Sequence, residues 1–95
     1  MALTLCVLLW PVPGQDDALT AYEDEVLALL GDHGAQVVSR VRRADDTAGP
    51  LEVQVIELPD EDALQAYLAD PRRLASSDVR DRAIARTEMF RVDRR

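Results

Sequence analysis

The chain has 95 residues, a length that favours a single domain, and its 47% hydrophobic content is ordinary for a folded protein. The 18 acidic and 11 basic residues leave a formal charge of −7, which argues against nucleic acid or an anionic membrane as the main partner. One cysteine cannot form an internal disulfide, and one histidine beside it offers no soft metal site. We therefore expect one domain, residues 1–95, with no metal and no other cofactor.

The first predicted element is a strand that is apolar on both faces. Residues 2–13 are apolar apart from Thr4, but this run is too short for a spanning helix, which needs about 20 apolar residues. No basic residue precedes Arg40, whereas a secretory signal begins with positive charge, so we expect a cytoplasmic protein. Alternation along the strand gives one face Leu3, Leu5, Val7 and Leu9, and the other face Cys6, Leu8 and Trp10.

An internal repeat indicates a duplicated unit. The segment 17–22, DALTAY, recurs as DALQAY at 62–67, with five of six positions identical and an offset of 45 residues. Each copy follows an apolar strand that ends at a proline, Pro11 or Pro59. The matching context predicts two equivalent strand–helix units.

The first helix is predicted to start at an Asp16 or Asp17 cap and to end at Gly31 or Gly34. Its apolar stripe follows spacings of three and four residues, at Leu19, Tyr22, Val26, Leu29, Leu30 and His33. Three acidic residues are assigned to positions off this stripe and are expected to be solvated: Glu23, Asp24 and Glu25.

Two strands joined by a turn over residues 45–50 follow the first helix and predict an antiparallel hairpin. In the first, Val37, Ser39 and Val41 alternate with Val38, Arg40 and Arg42. In the second, which spans 51–58, Leu51, Val53 and Val55 face one way and Ile56 and Leu58 the other, with Glu57 assigned to the face of Val53 and Val55.

The remaining pattern predicts a helix, a short helix and a strand. The first of these helices begins at an Asp60 cap and stops near Asp70, because the next residue is a proline. A short helix is predicted from Ser77 to Arg86, with Val79, Ala83 and Ile84 inward, and a final strand over 87–92. The order is β-α-β-β-α-β, an α+β arrangement of ferredoxin-like type with a four-stranded antiparallel sheet.

Such a sheet carries helices on one face only, so its other face must be covered or polar. Because the first strand is apolar on both sides, a monomer would expose a large apolar patch. Two sheets that face each other across a two-fold axis bury that patch. We therefore expect a homodimer.

The chain resembles the dimeric α/β-barrel superfamily, and within it small bacterial proteins of a domain-of-unknown-function group. The residues that carry the resemblance are Tyr22 through Gly34, Val38-x-Arg40, Val55 through Pro59, Tyr67 through Pro71, and Arg80. It departs from the usual pattern at Leu58 and at Arg72 and Arg73, which replace aromatic residues. The absence of Lys and Asn is also typical of a GC-rich bacterial genome.

The resemblance implies a pocket between sheet and helices, and several kinds of activity. Members of the superfamily include cofactor-independent monooxygenases, haem-degrading enzymes, lactone isomerases and dehydratases, besides proteins without known activity. Residues assigned to ligand binding are Trp10, Tyr22, Arg40, Tyr67 and Arg80. The plain alternative is that both tyrosines are core residues and that Trp10 belongs to the core or to an interface.

Three residues are candidates for catalysis: His33, Arg40 and Glu57. Histidine is the residue type best suited to proton transfer near neutral pH, which makes His33 a candidate, although it also suits the negative end of a helix beside a glycine. Arg40 could bind a carboxylate or an enolate through two hydrogen bonds, or it could pair with Glu52, Gln54 or Glu57 across the hairpin. A carboxylate on the apolar face of the third strand would have a raised pKa, which makes Glu57 the acid–base candidate, unless it reaches solvent.

The sequence therefore predicts a homodimer that binds a small, partly apolar metabolite between sheet and helices. A cofactor-free step of monooxygenase or isomerase type is implied by the resemblance, and whether the chain is an enzyme stays open. The alternative is a non-catalytic dimerisation or interaction module. A deep cavity would count against the module, and a filled interior would favour it.

Overall fold

The computed structural model describes residues 2–95, which form four strands and four helices. In chain order they are β1 (Leu3–Pro11), α1 (Asp16–Leu27), β2 (Gln36–Arg42), β3 (Glu52–Leu58), α2 (Glu61–Leu68), α3 (Pro71–Leu74), α4 (Ser77–Ala83) and β4 (Ile84–Arg91). The strands form one antiparallel sheet in the order β2-β3-β1-β4. The predicted ferredoxin-like α+β fold is confirmed. Within this part of the chain, no helix combines the length and the apolar character needed to cross a membrane.

The sheet has one face beneath the helices, here called the inner face, and one uncovered face, here called the open face. The two faces of β1 divide as the alternation predicts. Leu3, Leu5, Val7 and Leu9 are buried on the inner face, whereas Cys6, Leu8 and Trp10 are only partly buried on the open face. The helices therefore cover the inner face and leave apolar side chains of the central strand accessible on the other.

The sequence repeat occupies equivalent positions in the fold. Each copy lies on a helix that follows a central strand, α1 after β1 and α2 after β3. The repeated leucines and tyrosines are buried in the same core: Leu19, Tyr22, Leu64 and Tyr67. The hydroxyl of Tyr67 also donates a hydrogen bond to the carbonyl oxygen of Val26, 2.9 Å away, and so ties α2 to α1.

The C-terminal end of the first helical region differs from the prediction. Helix α1 stops at Leu27, and a separate 3₁₀ turn over Leu30–His33 replaces its expected last turn. Gly34 ends that turn with φ +70°, a conformation that glycine adopts without steric cost. A Cβ atom there would also lie 3.1 Å from Cγ of Pro59. The start of α2 is as predicted, since Asp60 Oδ1 accepts a hydrogen bond from the amide of Ala63 at 2.8 Å.

The C-terminal third contains two corrections to the predicted elements. Helix α4 ends at Ala83 rather than Arg86, and β4 starts at Ile84, because residues from Ile84 onward pair with β1 in the sheet. Val79 is 38% exposed rather than inward. The short helix α3 was not predicted; it begins at Pro71, where a proline is compatible with the first helical position, and Asp70 Oδ1 caps it by accepting from the amide of Arg72.

Candidate functional site

A cavity of about 230 Å³ lies between the inner face of the sheet and the helices. Its apolar lining comes from both layers and includes Val7, Leu9, Ile56, Leu64 and Met89. Its polar lining is Glu23, Gln54, Tyr67, Arg73, Arg80 and Thr87. An engineered apolar cavity of about 150 Å³ is known to accept benzene, so this one has room for a single-ring molecule with a small substituent. The interior is thus not fully filled by side chains.

Glu23 brings a buried carboxyl group to this cavity. The residue is only 6% exposed, which overturns the expectation that it is solvated. Position 23 lies four residues after Leu19 and three before Val26, so it falls on the buried stripe of α1. Glu23 therefore fits the same spacing of three and four residues that predicts the apolar stripe. Only the charge of its side chain suggested a solvated position.

Gln54 holds the carboxyl group of Glu23 from the sheet. Its Nε2 atom donates to Oε1 of Glu23 at 2.8 Å and to Oε1 of Glu52 at 3.2 Å. Glu52 and Gln54 are each 1% exposed, because they share the inner face of β3 with Ile56 and Leu58. None of the hydrogen bonds between residues 2–95 involves Oε2 of Glu23, so that oxygen is not committed to another side chain.

Burial governs the protonation of Glu23. Desolvation raises the pKa of this carboxyl above its ordinary value of 4.5, and the nearby charge of Glu52 raises it further. The hydrogen bond from Gln54 and the charges of Arg73 and Arg40 act in the opposite direction, more weakly than the desolvation. A carboxyl group with raised proton affinity in a cavity is suited to general acid–base chemistry.

Arg40 stabilises the network behind Glu23 and does not line the cavity. Its Nε and Nη2 atoms donate to the two oxygens of Glu52 at 2.8 and 3.1 Å, and Nη1 donates to Oδ1 of Asp24 at 2.6 Å. These contacts raise the pKa of Arg40 further above its ordinary value, with Glu52 as the larger cause. The alternative of an ion pair across the hairpin therefore describes this residue, and its guanidinium is engaged by protein groups.

His33 and Asp70 form a second polar cluster outside the cavity lining. Nε2 of His33 lies 2.8 Å from Oδ2 of Asp70, and the ring contacts Tyr67 edge-on with 5.9 Å between centroids. Asp70 also accepts from the side chain of Arg72 through both oxygens. Hydrogen bonds from Arg72 and then His33 hold the pKa of Asp70 well below its usual range. This cluster connects the 3₁₀ turn to the start of α3.

Glu57 lies on the open face of the sheet, away from the cavity. It accepts from Nη1 of Arg94 at 3.3 Å and from Nε2 of Gln36 at 3.4 Å. The alternation along β3 places it with Val53 and Val55, as predicted, but the same alternation puts Arg40 and the cavity on the other side of the sheet. The structure therefore does not join His33, Arg40 and Glu57 in one site.

The residues assigned to ligand binding divide into two groups. Tyr67 and Arg80 line the cavity, and Arg80 Nη2 donates to Oγ1 of Thr87 at 3.3 Å. Trp10 lies on the open face, where the guanidinium carbon of Arg86 is 4.5 Å from its ring centroid, so it does not line the cavity as expected. Tyr22 is 2% exposed and belongs to the core.

The two buried tyrosines keep their protons at neutral pH. Burial raises the pKa of Tyr67 to about 12, and it also raises the pKa of Tyr22. Their neutral hydroxyl groups can donate hydrogen bonds, but they do not supply a base. Glu23 is thus the group in the cavity whose protonation can change nearer to neutral pH.

Arg73 is the cavity residue that sequence reasoning had least chance to identify. It lies in α3, and its guanidinium carbon is 5.3 Å from the ring centroid of Tyr67. In the sequence it appears only as part of a basic segment after Pro71. The sequence indicates the position of Gln54 more clearly, because this residue shares the period-two alternation of Ile56 and Leu58 on a predicted strand.

Comparison with known proteins gives matches to solved structures and to no sequence family. No family model matches the chain, and no curated protein matches it. A dimeric protein of unknown function and ferredoxin-like fold from Bacteroides fragilis is 11% identical, with a TM-score of 0.72, over 97% of this chain and 95% of that one. A sequence identity this low shows a similarity of fold only.

Two further solved structures have names that state an activity or a family. SnoaB, a cofactor-independent oxygenase from Streptomyces nogalater, is 14% identical, with a TM-score of 0.71, over 99% of this chain and 95% of that one. A DABB family protein with a ferredoxin-like fold from Mesorhizobium loti is 14% identical, with a TM-score of 0.66, over 98% and 96% of the two chains. These matches confirm the predicted similarity to proteins of ferredoxin-like fold.

Proposed function

We propose that the chain forms a homodimer in which each cavity binds a small, partly apolar molecule and Glu23 moves a proton to or from it. The observation that carries this proposal is that Glu23, a residue only 6% exposed, lines a largely apolar cavity of about 230 Å³. Pockets with an apolar lining and a few polar groups of shifted pKa are the usual form of small-molecule sites. The cavity also counts against a non-catalytic module, whose interior would be filled.

The chemistry assigned to Glu23 is the transfer of one proton. Its carboxylate takes a proton from an acidic C–H or O–H bond of the bound molecule, which leaves a carboxylic acid on Glu23 and an enolate or phenolate on the molecule. Return of the proton to another carbon completes an isomerisation, whereas an oxygenation continues by reaction of the anion with O₂. Because both reaction types start with proton removal, this is the step that we assign.

Neighbouring residues support that step by position and charge. Gln54 fixes one oxygen of Glu23 by a hydrogen bond of 2.8 Å. Arg73 and Arg80 line the same cavity and place positive charge where the anion of the bound molecule forms. Charges and donors that are in place before the reaction stabilise such an anion most effectively in a site that excludes water. The name of SnoaB, a cofactor-independent oxygenase of the same fold, supports cofactor-free chemistry.

The proposed dimer rests on the open face of the sheet. Its accessible apolar side chains lie on adjacent strands: Cys6, Leu8, Trp10, Val41, Val53, Val55 and Phe90. Val41 and Phe90 are 56% and 49% exposed, which a monomer would leave in water. The Bacteroides fragilis protein of the same fold is described as dimeric, and two sheets that pack face to face would cover this surface.

The proton-transfer proposal is tested by hydrogen exchange on single-ring carbon acids. Phenylacetone and cyclohexanone are incubated in D₂O with the wild type, with Glu23→Gln and with Glu25→Gln, and loss of the acidic C–H signal is followed by NMR. We expect faster exchange of at least one compound with the wild type, a loss of about 100-fold with Glu23→Gln, and no change with Glu25→Gln, which alters an exposed carboxyl of the same helix. Equal rates for the wild type and Glu23→Gln with both compounds would contradict the proposal.

A further inference from the structure

We infer that the molecule bound in this cavity carries a carboxylate, or a planar anion of the same shape, that binds side-on to Arg73. This inference rests on the proposed function and names the class of ligand that the cavity takes. The ligand would consist of one apolar ring, or a body of that size, with one acidic group.

Arg73 has a buried donor without an acceptor. Its Nε atom is shielded from solvent and donates to no oxygen or nitrogen atom of residues 2–95. It is the one buried side-chain nitrogen or oxygen atom in this part of the chain that lacks a partner. Burying a donor without an acceptor costs free energy, and Arg73 lines the cavity, so a molecule bound there supplies the missing acceptor when the side chain turns toward it.

The position of the unsatisfied atom specifies the shape of that acceptor. A carboxylate that binds an arginine side-on engages Nε and one terminal nitrogen through two parallel hydrogen bonds. Other arginines of this chain already use these atoms on protein carboxylates. Arg40 binds Glu52 through Nε and Nη2, and Arg72 binds Asp70 through the same pair of atoms. Arg73 presents the equivalent edge, and no carboxylate of the described residues lies within ion-pair distance of it.

Charge favours an anion in this cavity and disfavours it on most of the remaining surface. The chain carries a formal charge of −7, so an anion is repelled overall. Arg73 and Arg80 both line the cavity, where Glu23 is the one acidic residue that residues 2–95 contribute to the lining. The polar end of the cavity therefore has an excess of positive charge even when Glu23 is ionised.

The remaining lining specifies an apolar body. Val7, Leu9, Ile56 and Leu64 surround the space beyond the polar groups. A volume of about 230 Å³ exceeds the roughly 150 Å³ that accepts benzene by about the volume of a small substituent. Benzoate has this combination of one ring and one carboxylate, and it therefore serves as the probe. Benzamide is its neutral counterpart of nearly the same shape.

The test compares benzoate with benzamide by NMR titration of the ¹⁵N-labelled protein at pH 6. The proteins are the wild type, Arg73→Met, Arg73→Lys and Arg82→Met. Arg82→Met removes the same charge from an exposed position of α4. Arg73→Lys keeps the charge but cannot offer two parallel hydrogen bonds, and it guards against a folding defect in Arg73→Met. Arg73 is partly exposed, so neither substitution opens the core.

We expect benzoate to shift the amide signals of residues that line the cavity and to bind the wild type about tenfold or more tightly than benzamide. This preference should fall to near unity in Arg73→Met, weaken in Arg73→Lys and persist in Arg82→Met. Equal binding of both probes in the cavity would overturn the carboxylate inference and leave the proposed cavity site intact. Absence of cavity shifts with both probes at millimolar concentration would overturn both proposals.

Discussion

Nε2 of Gln54 lies 2.8 Å from Oε1 of Glu23, and this contact fixes the carboxyl group that faces the cavity. The same nitrogen lies 3.2 Å from Oε1 of Glu52, so both hydrogens of the amide are used on carboxyl groups. Glu52 is in turn held by Arg40, which contacts exposed Asp24 at the surface. A continuous polar chain therefore runs from the surface, between α1 and the sheet, to the cavity.

Replacement of Glu23 by glutamine should stabilise the protein at neutral pH. Because desolvation raises the pKa of Glu23, the folded state holds a proton that the unfolded state releases just above pH 4.5. Stability of the wild type therefore declines as the pH rises from 4.5 through the raised pKa, and Glu23→Gln lacks this decline. We expect Tm at pH 7 to rise by a few degrees.

The measurement is thermal unfolding of Glu23→Gln and Glu25→Gln between pH 4 and pH 8. Glu25 is exposed on the same helix, so its substitution should change stability by less than about 0.5 kcal/mol at every pH. A lower Tm for Glu23→Gln than for the wild type at pH 7 would show that the buried carboxylate stabilises the fold instead of serving the cavity.

Replacement of Gln54 by methionine should move the titration of Glu23 to higher pH. The amide hydrogen bond of Gln54 lowers the pKa of Glu23 against desolvation, and methionine of similar size cannot donate. The titration is followed by NMR of ¹³C-labelled glutamate. Gln65→Met, at an exposed position on α2, is the matched control and should leave the midpoint unchanged. An unchanged or lower midpoint in Gln54→Met would contradict this role of the amide.

Much of the fold was predictable because strands and helices follow short-range periodicity. The two faces of β1, the hairpin and the Asp60 cap all follow from patterns within short stretches of the sequence. The boundary between α4 and β4 was wrong because Ile84 and its neighbours pair with β1, which lies more than 70 residues away in the chain. Such long-range pairing outweighs the local helix propensity.

The candidate site was less predictable than the fold. Glu23 falls on the apolar stripe of α1, but acidic residues are solvated so often that the spacing was overruled. Gln54 and Glu52 lie on the inner face of β3 because Ile56 does, and only their mutual contacts make that burial tolerable. Glu57, the predicted acid–base candidate, lies on the other side of its strand from the cavity, so the proposed site does not include it.

Asp70→Asn should destabilise the protein above about pH 4, and this deficit should become smaller at pH 3. Hydrogen bonds from Arg72 and His33 lower the pKa of Asp70, so the stability contribution of its carboxylate is present above the ordinary value of 3.8 and is lost as the pH falls further. Urea unfolding at pH 7 and pH 3 measures this difference. Asp46→Asn, in the exposed turn between β2 and β3, is the control. A deficit that is as large at pH 3 as at pH 7 would contradict the assignment.

Val55→Asp should convert the proposed dimer into a monomer. Val55 pairs with Cys6 between the two central strands, so a carboxylate there lies in the middle of the open face. Sedimentation equilibrium should give two chains for the wild type and one for Val55→Asp. Val79→Asp places the same charge on a partly exposed valine of α4 and should remain dimeric. A monomeric wild type would contradict the proposed pairing of sheets.

Titration of Glu23 measures whether a desolvated acid–base group faces the cavity. The wild type and Glu23→Gln are labelled with ¹³C at the glutamate carboxyl carbon, and each signal is followed by NMR from pH 3 to pH 8. We expect one signal of the wild type to titrate above 4.5, to be missing from Glu23→Gln and to shift when benzoate is added. A Glu23 signal that titrates at or below 4.5 would contradict a desolvated acid–base group in the cavity.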